Sequence, residues 1–233
     1  MNIINFFKTK NVNTFLAIKE SQKRTSTPTL SADDWRDFCS RFHFSAADLS
    51  HIQAIYAALL PLTECYAYYS MDQDLDQISF SHYAYGFVTL GNGIEEFAEL
   101  YLKHEQLQEA YIADCLSLVL LSKAYEEFAR VIEEQSHLYL KELSFPGDDY
   151  PLELIPKMYK QLSPDTIRLT DGQMLWPLKT ASLILHLDTV PNTDIKQLCN
   201  TCATCRNLSC PTRKSPIQSL PRTYGAMQIF HLK

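Results

Sequence analysis

Four cysteines, Cys199, Cys202, Cys205 and Cys210, fall within twelve residues towards the end of the sequence. Their spacing is Cys-x2-Cys-x2-Cys-x4-Cys, and Pro211 follows directly. So close a set of soft thiolate ligands reads as one shared inorganic centre rather than a disulfide framework. Three thiolates within seven residues suit the compact corner of a cubane iron–sulfur cluster. A ferredoxin-type run has the same first two intervals and a Pro after its last Cys, but a final gap of three. Zinc is the alternative, although structural zinc sites more often pair two Cys-x2-Cys knuckles across a longer loop. The expectation is a 4Fe–4S cluster on all four sulfurs. Arg206, Arg213 and Lys214 flank the run. They would offset the thiolate charge, or else act only as solvated surface cations.

The remaining chemistry-bearing residues are scattered. Cys39, Cys65 and Cys115 sit in apolar or helical surroundings, where a free thiol behaves as a small hydrophobe. The seven histidines show no His-x3-His pair. Tyr66, Tyr68 and Tyr69 read as an aromatic patch at a helix end, used for packing. No Gly-rich phosphate loop and no nucleophile elbow is present.

The 233 residues carry a formal net charge of −6 and are 46% hydrophobic. That supports a sizeable core in one domain with small additions. An acidic balance argues against nucleic acid as a partner, since phosphate binding needs an excess of Lys and Arg. No apolar run approaches the ~18 residues of a membrane span. Residues 1–7 carry an apolar patch but lack the order of a secretory signal, so a cytoplasmic protein is expected.

The elements that would position these residues can be read from periodicity. Residues 1–30 read as an arm and linker, 31–198 as the main domain, and 199–233 as the cysteine segment and a tail. Ser31 is an expected N-cap for a helix through Trp35, Phe38 and Phe42, with Asp33 and Asp34 in its first turn. Ser45 is the next cap, and Leu49, Ile52, Ile55, Tyr56 and Leu59 follow at helical spacing. Residues 78–90 alternate like a strand. Leu90-Gly91-Asn92-Gly93 is a turn before a helix with Ile94, Phe97, Leu100 and Tyr101 inward. A long helix is predicted over 107–140, buried where it is apolar all round between Cys115 and Leu121. A break at residues 145–151 precedes a short helix over 152–162. Residues 166–170 and 180–187 read as two strands joined by a loop holding Trp176-Pro177, with a turn at 189–192. The sum is an α+β fold: a long buried helix and amphipathic helices packed on a small antiparallel sheet.

Three blocks resemble the activation (reactivation) domain of vitamin B12-dependent methionine synthase, especially its short free-standing bacterial relatives. The first is Val88-Thr89-Leu90-Gly91 with the helices after it, through Asp114-Cys115-Leu116-Ser117 to Glu126. The second is Phe145-Pro146-Gly147 leading into Tyr150-Pro151-Leu152. The third is Leu169-Thr170-Asp171-Gly172-Gln173-Met174-Leu175-Trp176-Pro177, followed by Ala181-Ser182. Some short relatives also end in a cysteine run. Coverage is about residues 78–214.

The resemblance implies an accessory role in reductive activation and methylation of a corrinoid. In that family a cobalamin, here expected on a partner protein such as methionine synthase, lapses to Co(II). An electron donor reduces it, and a methyl group from S-adenosylmethionine traps it. By this resemblance Pro146, Gly147, Asp148 and Tyr150 would line the S-adenosylmethionine loop. The sequence departs from the family where an Arg and a Tyr are usual, for it has Leu143 and Asp148. The lost Arg would remove a charge-assisted bond to the ligand carboxylate. Asp148 and Asp149 would meet an ammonium or ribose, or simply favour a turn. The second reading is therefore a non-enzymatic binding module that has lost S-adenosylmethionine and carries structural zinc.

Overall fold

The computed structural model describes residues 20–23, 30, 32–71, 75, 78, 82–147 and 150–191. Ser31, Asp148, Asp149 and the four clustered cysteines lie outside the described residues, as do most of the expected arm and all of the tail.

An α+β architecture is present. In chain order the elements are β1 (Glu20–Lys23), α1 (Ala32–Phe42), α2 (Leu49–Leu59), β2 (Tyr66–Met71), β3 (Tyr83–Thr89), α3 (Gly93–Lys103), α4 (Leu107–Ser136), β4 (Tyr139–Ser144), α5 (Leu154–Leu162), β5 (Arg168–Leu169), β6 (Leu175–Trp176) and β7 (Thr180–Asp188). Five strands form one sheet in the order β1-β2-β3-β7-β4, with every neighbouring pair antiparallel. β5 and β6 make a separate two-stranded hairpin.

Helices cover both faces of the sheet, and side-chain alternation along β3 divides the core accordingly. Ala84 and Val88 join α1, α2 and α4 in the larger cluster, with Leu116, Leu120, Phe128 and Ile132 from α4. Tyr83, Tyr85 and Phe87 face the other way, onto Leu154, Met158 and Leu162 of α5. Each fully buried Leu, Ile or Phe contributes roughly 1.5–3 kcal/mol against exposure, so both layers matter. Polar ties orient α5 and its loop: Tyr85 donates to Gln161, and Tyr68 to Asp165. On the opposite layer Trp35 meets Tyr56 edge-on, with centroids 5.0 Å apart, and so couples α1 to α2. Ser45 caps as expected. Its hydroxyl and its backbone N–H both donate to Asp48, closing a single 3-10 turn before α2.

Several expectations need correction. The long helix stops at Ser136, because His137 turns left-handed at φ 57° and the chain enters β4. Leu118, inside the stretch expected to be buried, is 43% exposed, and Leu100 on α3 faces outward at 53%. Tyr66, Tyr68 and Tyr69 lie on a strand rather than at a helix end, although Tyr68 and Tyr69 do pack in the core. The strand expected over 78–90 is Tyr83–Thr89. The strand expected near 166–170 pairs with β6 and not with β7. Within the expected arm, Glu20–Lys23 forms the edge strand β1. No helix of the described residues is long and apolar enough to cross a membrane.

Candidate functional site

β3 and β7 are antiparallel, so the end of β3 lies beside the start of β7, Thr89 opposite Thr180. β4 is antiparallel to β7 and finishes at Ser144, opposite Ile184 in the middle of β7. The Leu90–Gly91 turn and the loop from Trp176 into β7 therefore meet at one end, and the Phe145–Gly147 turn leaves β4 beside the middle of β7.

Side chains join them. The Leu90 N–H donates to the Lys179 carbonyl at 3.1 Å, and the Thr180 hydroxyl donates to the Thr89 hydroxyl at 2.8 Å. Lys179 reaches Asp114 on α4 through its ammonium, Nζ to Oδ1 2.5 Å. Its backbone N–H donates to Glu95 Oε1 in the first turn of α3, at 3.2 Å. Glu95 is buried, and burial raises its carboxyl pKa against the opposing pull of the Lys179 and Leu178 amides and the Lys179 charge. Further along α4, Tyr125 meets Phe145 edge-on with centroids 6.0 Å apart. α4 thus touches both of the other stretches.

The Pro146–Gly147 turn closes on Tyr150. Gly147 donates its N–H to the Tyr150 carbonyl at 2.7 Å, and Pro146 forms a single bridge with Tyr150. Gly147 has φ +96°, a conformation a side chain would strain. Tyr150 stacks on His186 of β7, centroids 5.9 Å apart and planes 24° apart. His186 Nε2 lies 3.4 Å from the Tyr150 hydroxyl and 3.2 Å from the Ser144 hydroxyl. Both His186 and Ser144 are buried. Burial lowers the imidazole pKa to about 4, so the ring is neutral near pH 7.

Of the residues expected at this loop, Pro146, Gly147 and Tyr150 come together, and Asp148 lies outside the described residues. Ser144 and His186 were not singled out from the sequence. Their pairing depends on β4, whose alternation was hidden in an apparent continuation of α4. Leu143, which stands where the resembled family has an Arg, is 3% exposed and packs with Leu140 and Leu185 in the larger core. It offers no charge to a ligand carboxylate, so the residues present do not fit S-adenosylmethionine held in that way.

Cys39, Cys65 and Cys115 are free thiols. Burial pushes Cys65 and Cys115 up to about 11, which makes them poor nucleophiles and poor ligands. Among the described residues no group of three or more His, Cys, Asp or Glu is placed to hold a metal ion. Cys199, Cys202, Cys205 and Cys210 fall outside those residues, and the chemistry of the set alone bears on its ligand: four thiolates fit an iron–sulfur cluster or zinc. In comparisons with known proteins, no protein-family model matches the chain and no curated sequence matches it.

Proposed function

We propose that this protein is an accessory factor for reductive activation of a corrinoid carried by a partner such as methionine synthase, with an iron–sulfur cluster on Cys199, Cys202, Cys205 and Cys210. One observation supports the reading above the others. The three sequence blocks that resemble the methionine synthase activation domain are separated along the chain, yet α4 of the first touches both of the others, through Asp114–Lys179 and Tyr125–Phe145, and Leu90 bonds to Lys179.

An iron–sulfur cluster supplies single electrons, the currency that cobalt reduction requires. In this reading the four thiolates would hold the cluster, which would supply single electrons to the partner's cobalt from an external donor. No methyl-transfer step is assigned to the Pro146–Gly147 turn, because Leu143 removes the cation that such a ligand would need there.

The buried Leu143 also favours a second reading, a non-enzymatic binding module with structural zinc in the same four cysteines. Two experiments separate these readings. Protein prepared without oxygen is expected to be brown and to give an electron paramagnetic resonance signal on one-electron reduction; a colourless zinc protein would sink the electron relay. Calorimetry with S-adenosylmethionine is expected to show no stoichiometric heat, and tight one-to-one binding would overturn both the unassigned methyl step and the second reading.

A further inference from the structure

We infer that Lys179 is a two-position cation: its ammonium bonds the exposed Asp114 of α4 in one position and turns inward to the buried carboxylate of Glu95 in the other. The exchange is a property of the sheet end itself and does not depend on the role proposed above.

The backbone and the side chain of Lys179 address different acids. Its N–H donates to Glu95 Oε1 at 3.2 Å, while Nζ lies 2.5 Å from Asp114 Oδ1. Glu95 Oε2 is buried and has no hydrogen-bond partner among the described residues. The residue is 8% exposed, so water has little access to it. An ionised carboxylate with one oxygen left bare costs free energy until it takes a proton or a donor reaches it. Lys179 can be that donor. Its N–H already holds its backbone against the carboxyl. The ammonium rides on a flexible four-carbon stem, so it can swing across without moving the chain. Its charge already acts on Glu95, pulling the carboxyl pKa down against burial.

Each position gives something up. Outward, the ammonium end of a side chain 16% exposed pairs with a carboxylate side chain 54% exposed, and a pair so open to water contributes little. Inward, it would meet a carboxylate where screening is weaker, and water would take over Asp114. A protonated Glu95 therefore leaves the ammonium with Asp114. An ionised Glu95 competes for it, and loss of the Asp114 charge sends it inward.

The other groups around Glu95 do not take this part. On α3, Glu99 raises the Glu95 pKa and is itself paired with Lys103, Nζ to Oε2 3.6 Å. Glu96 accepts from the Asn92 amide. Ahead of β2, Glu64 packs beside Gly91 and accepts from the Tyr66 hydroxyl. On α4 the neighbour of Asp114 is Cys115, neutral because burial pushes its thiol up to about 11. Of the cations among the described residues, Lys179 is the one whose charge acts on Glu95.

Carbon nuclear magnetic resonance of the Glu95 carboxyl, titrated in the full chain from about pH 8 down to about pH 3, tests this. Asp114→Asn keeps the shape and removes the charge. The Glu95 midpoint is expected to fall by at least about 0.7 pH unit, roughly fivefold in acid dissociation constant. On a Lys179→Met background the same substitution should move the midpoint by less than about a third of that, since only the direct effect of one acid on the other remains. Two results would overturn the exchange: a Glu95 midpoint unmoved in Asp114→Asn, or an equal fall on the Lys179→Met background. If Lys179→Met does not fold, the ammonium nitrogen signal of Lys179 in the unaltered protein decides the matter. It should shift at the Glu95 midpoint, and a signal flat through that midpoint overturns the exchange.

Discussion

Glu95 is a carboxylate withdrawn from water at the sheet end where the Leu90–Gly91 turn meets the loop into β7. It takes the Lys179 N–H on Oε1, and burial raises its pKa above the ordinary 4.5. A raised folded pKa means that the native state holds its proton more tightly than the unfolded chain. Its contribution to stability is therefore complete below about 4.5 and is lost as pH rises through the folded value. Urea midpoints at pH 4.5 and pH 7 should show this slope, and Glu95→Gln should flatten it. Glu95→Ala should cost about 1–3 kcal/mol at any pH in that range, because the Lys179 amide is left buried without an acceptor. An unchanged midpoint in Glu95→Ala would mean that the loop into β7 is held by something else. His186 has the opposite sign. Its folded pKa, about 4, lies below the ordinary 6.5. Stability is full above 6.5 and declines towards pH 4, by on the order of 3 kcal/mol if the whole shift is expressed.

Strand β4 is the element on which the fold and the candidate site both depend, and it was the least legible. The helices α1, α2, α3 and α5 follow apolar spacing and caps that can be seen in the residues, Ser45 with Asp48 most plainly. β3 was visible as alternation, and the strand observed is Tyr83–Thr89, buried on both faces. β4 was not visible, because Leu138 and Tyr139 continue the helical spacing of Val131 and Ile132, and the helix ends on a left-handed His137 rather than on Gly or Pro. β2 was missed for a related reason: Tyr68, Tyr69 and Ser70 are consecutive and all buried, so no polar face announces the strand. The Pro146–Gly147 turn and Tyr150 were legible from local composition, whereas Ser144 and His186 required the pairing of β4 with β7. Two predictions belong to these strands. Leu143→Ala should cost about 2–5 kcal/mol in denaturant unfolding. Leu143→Arg should cost at least as much and restore no ligand binding, since it buries a cation among Leu140 and Leu185; a stable Leu143→Arg protein that binds S-adenosylmethionine would refute the assignment of this position to the core. In β3, a Cβ at Gly86 would lie 2.5 Å from the Tyr68 carbonyl oxygen. Gly86→Ala should therefore lower stability by about 1–3 kcal/mol, as overpacking does.

Across the whole molecule, the described fold separates from the cysteine segment in a testable way. β7 ends at Asp188 beside Tyr139, the first residue of β4. The chain leaves the described fold from there, at Pro191. The described residues of both hydrophobic clusters all come before that point. A chain ending at Pro191 should keep its near-ultraviolet circular dichroism, and removing metal from the full chain should leave the same signal. Loss of tertiary structure in either case would mean that the metal centre is part of the fold, as it is in small zinc domains.

The central claim is that Cys199, Cys202, Cys205 and Cys210 hold one iron–sulfur cluster. Iron and acid-labile sulfide, counted per chain in protein prepared without oxygen, test it most directly, with Cys205→Ser measured alongside. The account predicts about four iron and four sulfide per chain, as a cubane cluster requires, with both lost in the variant. One zinc per chain without sulfide would contradict it.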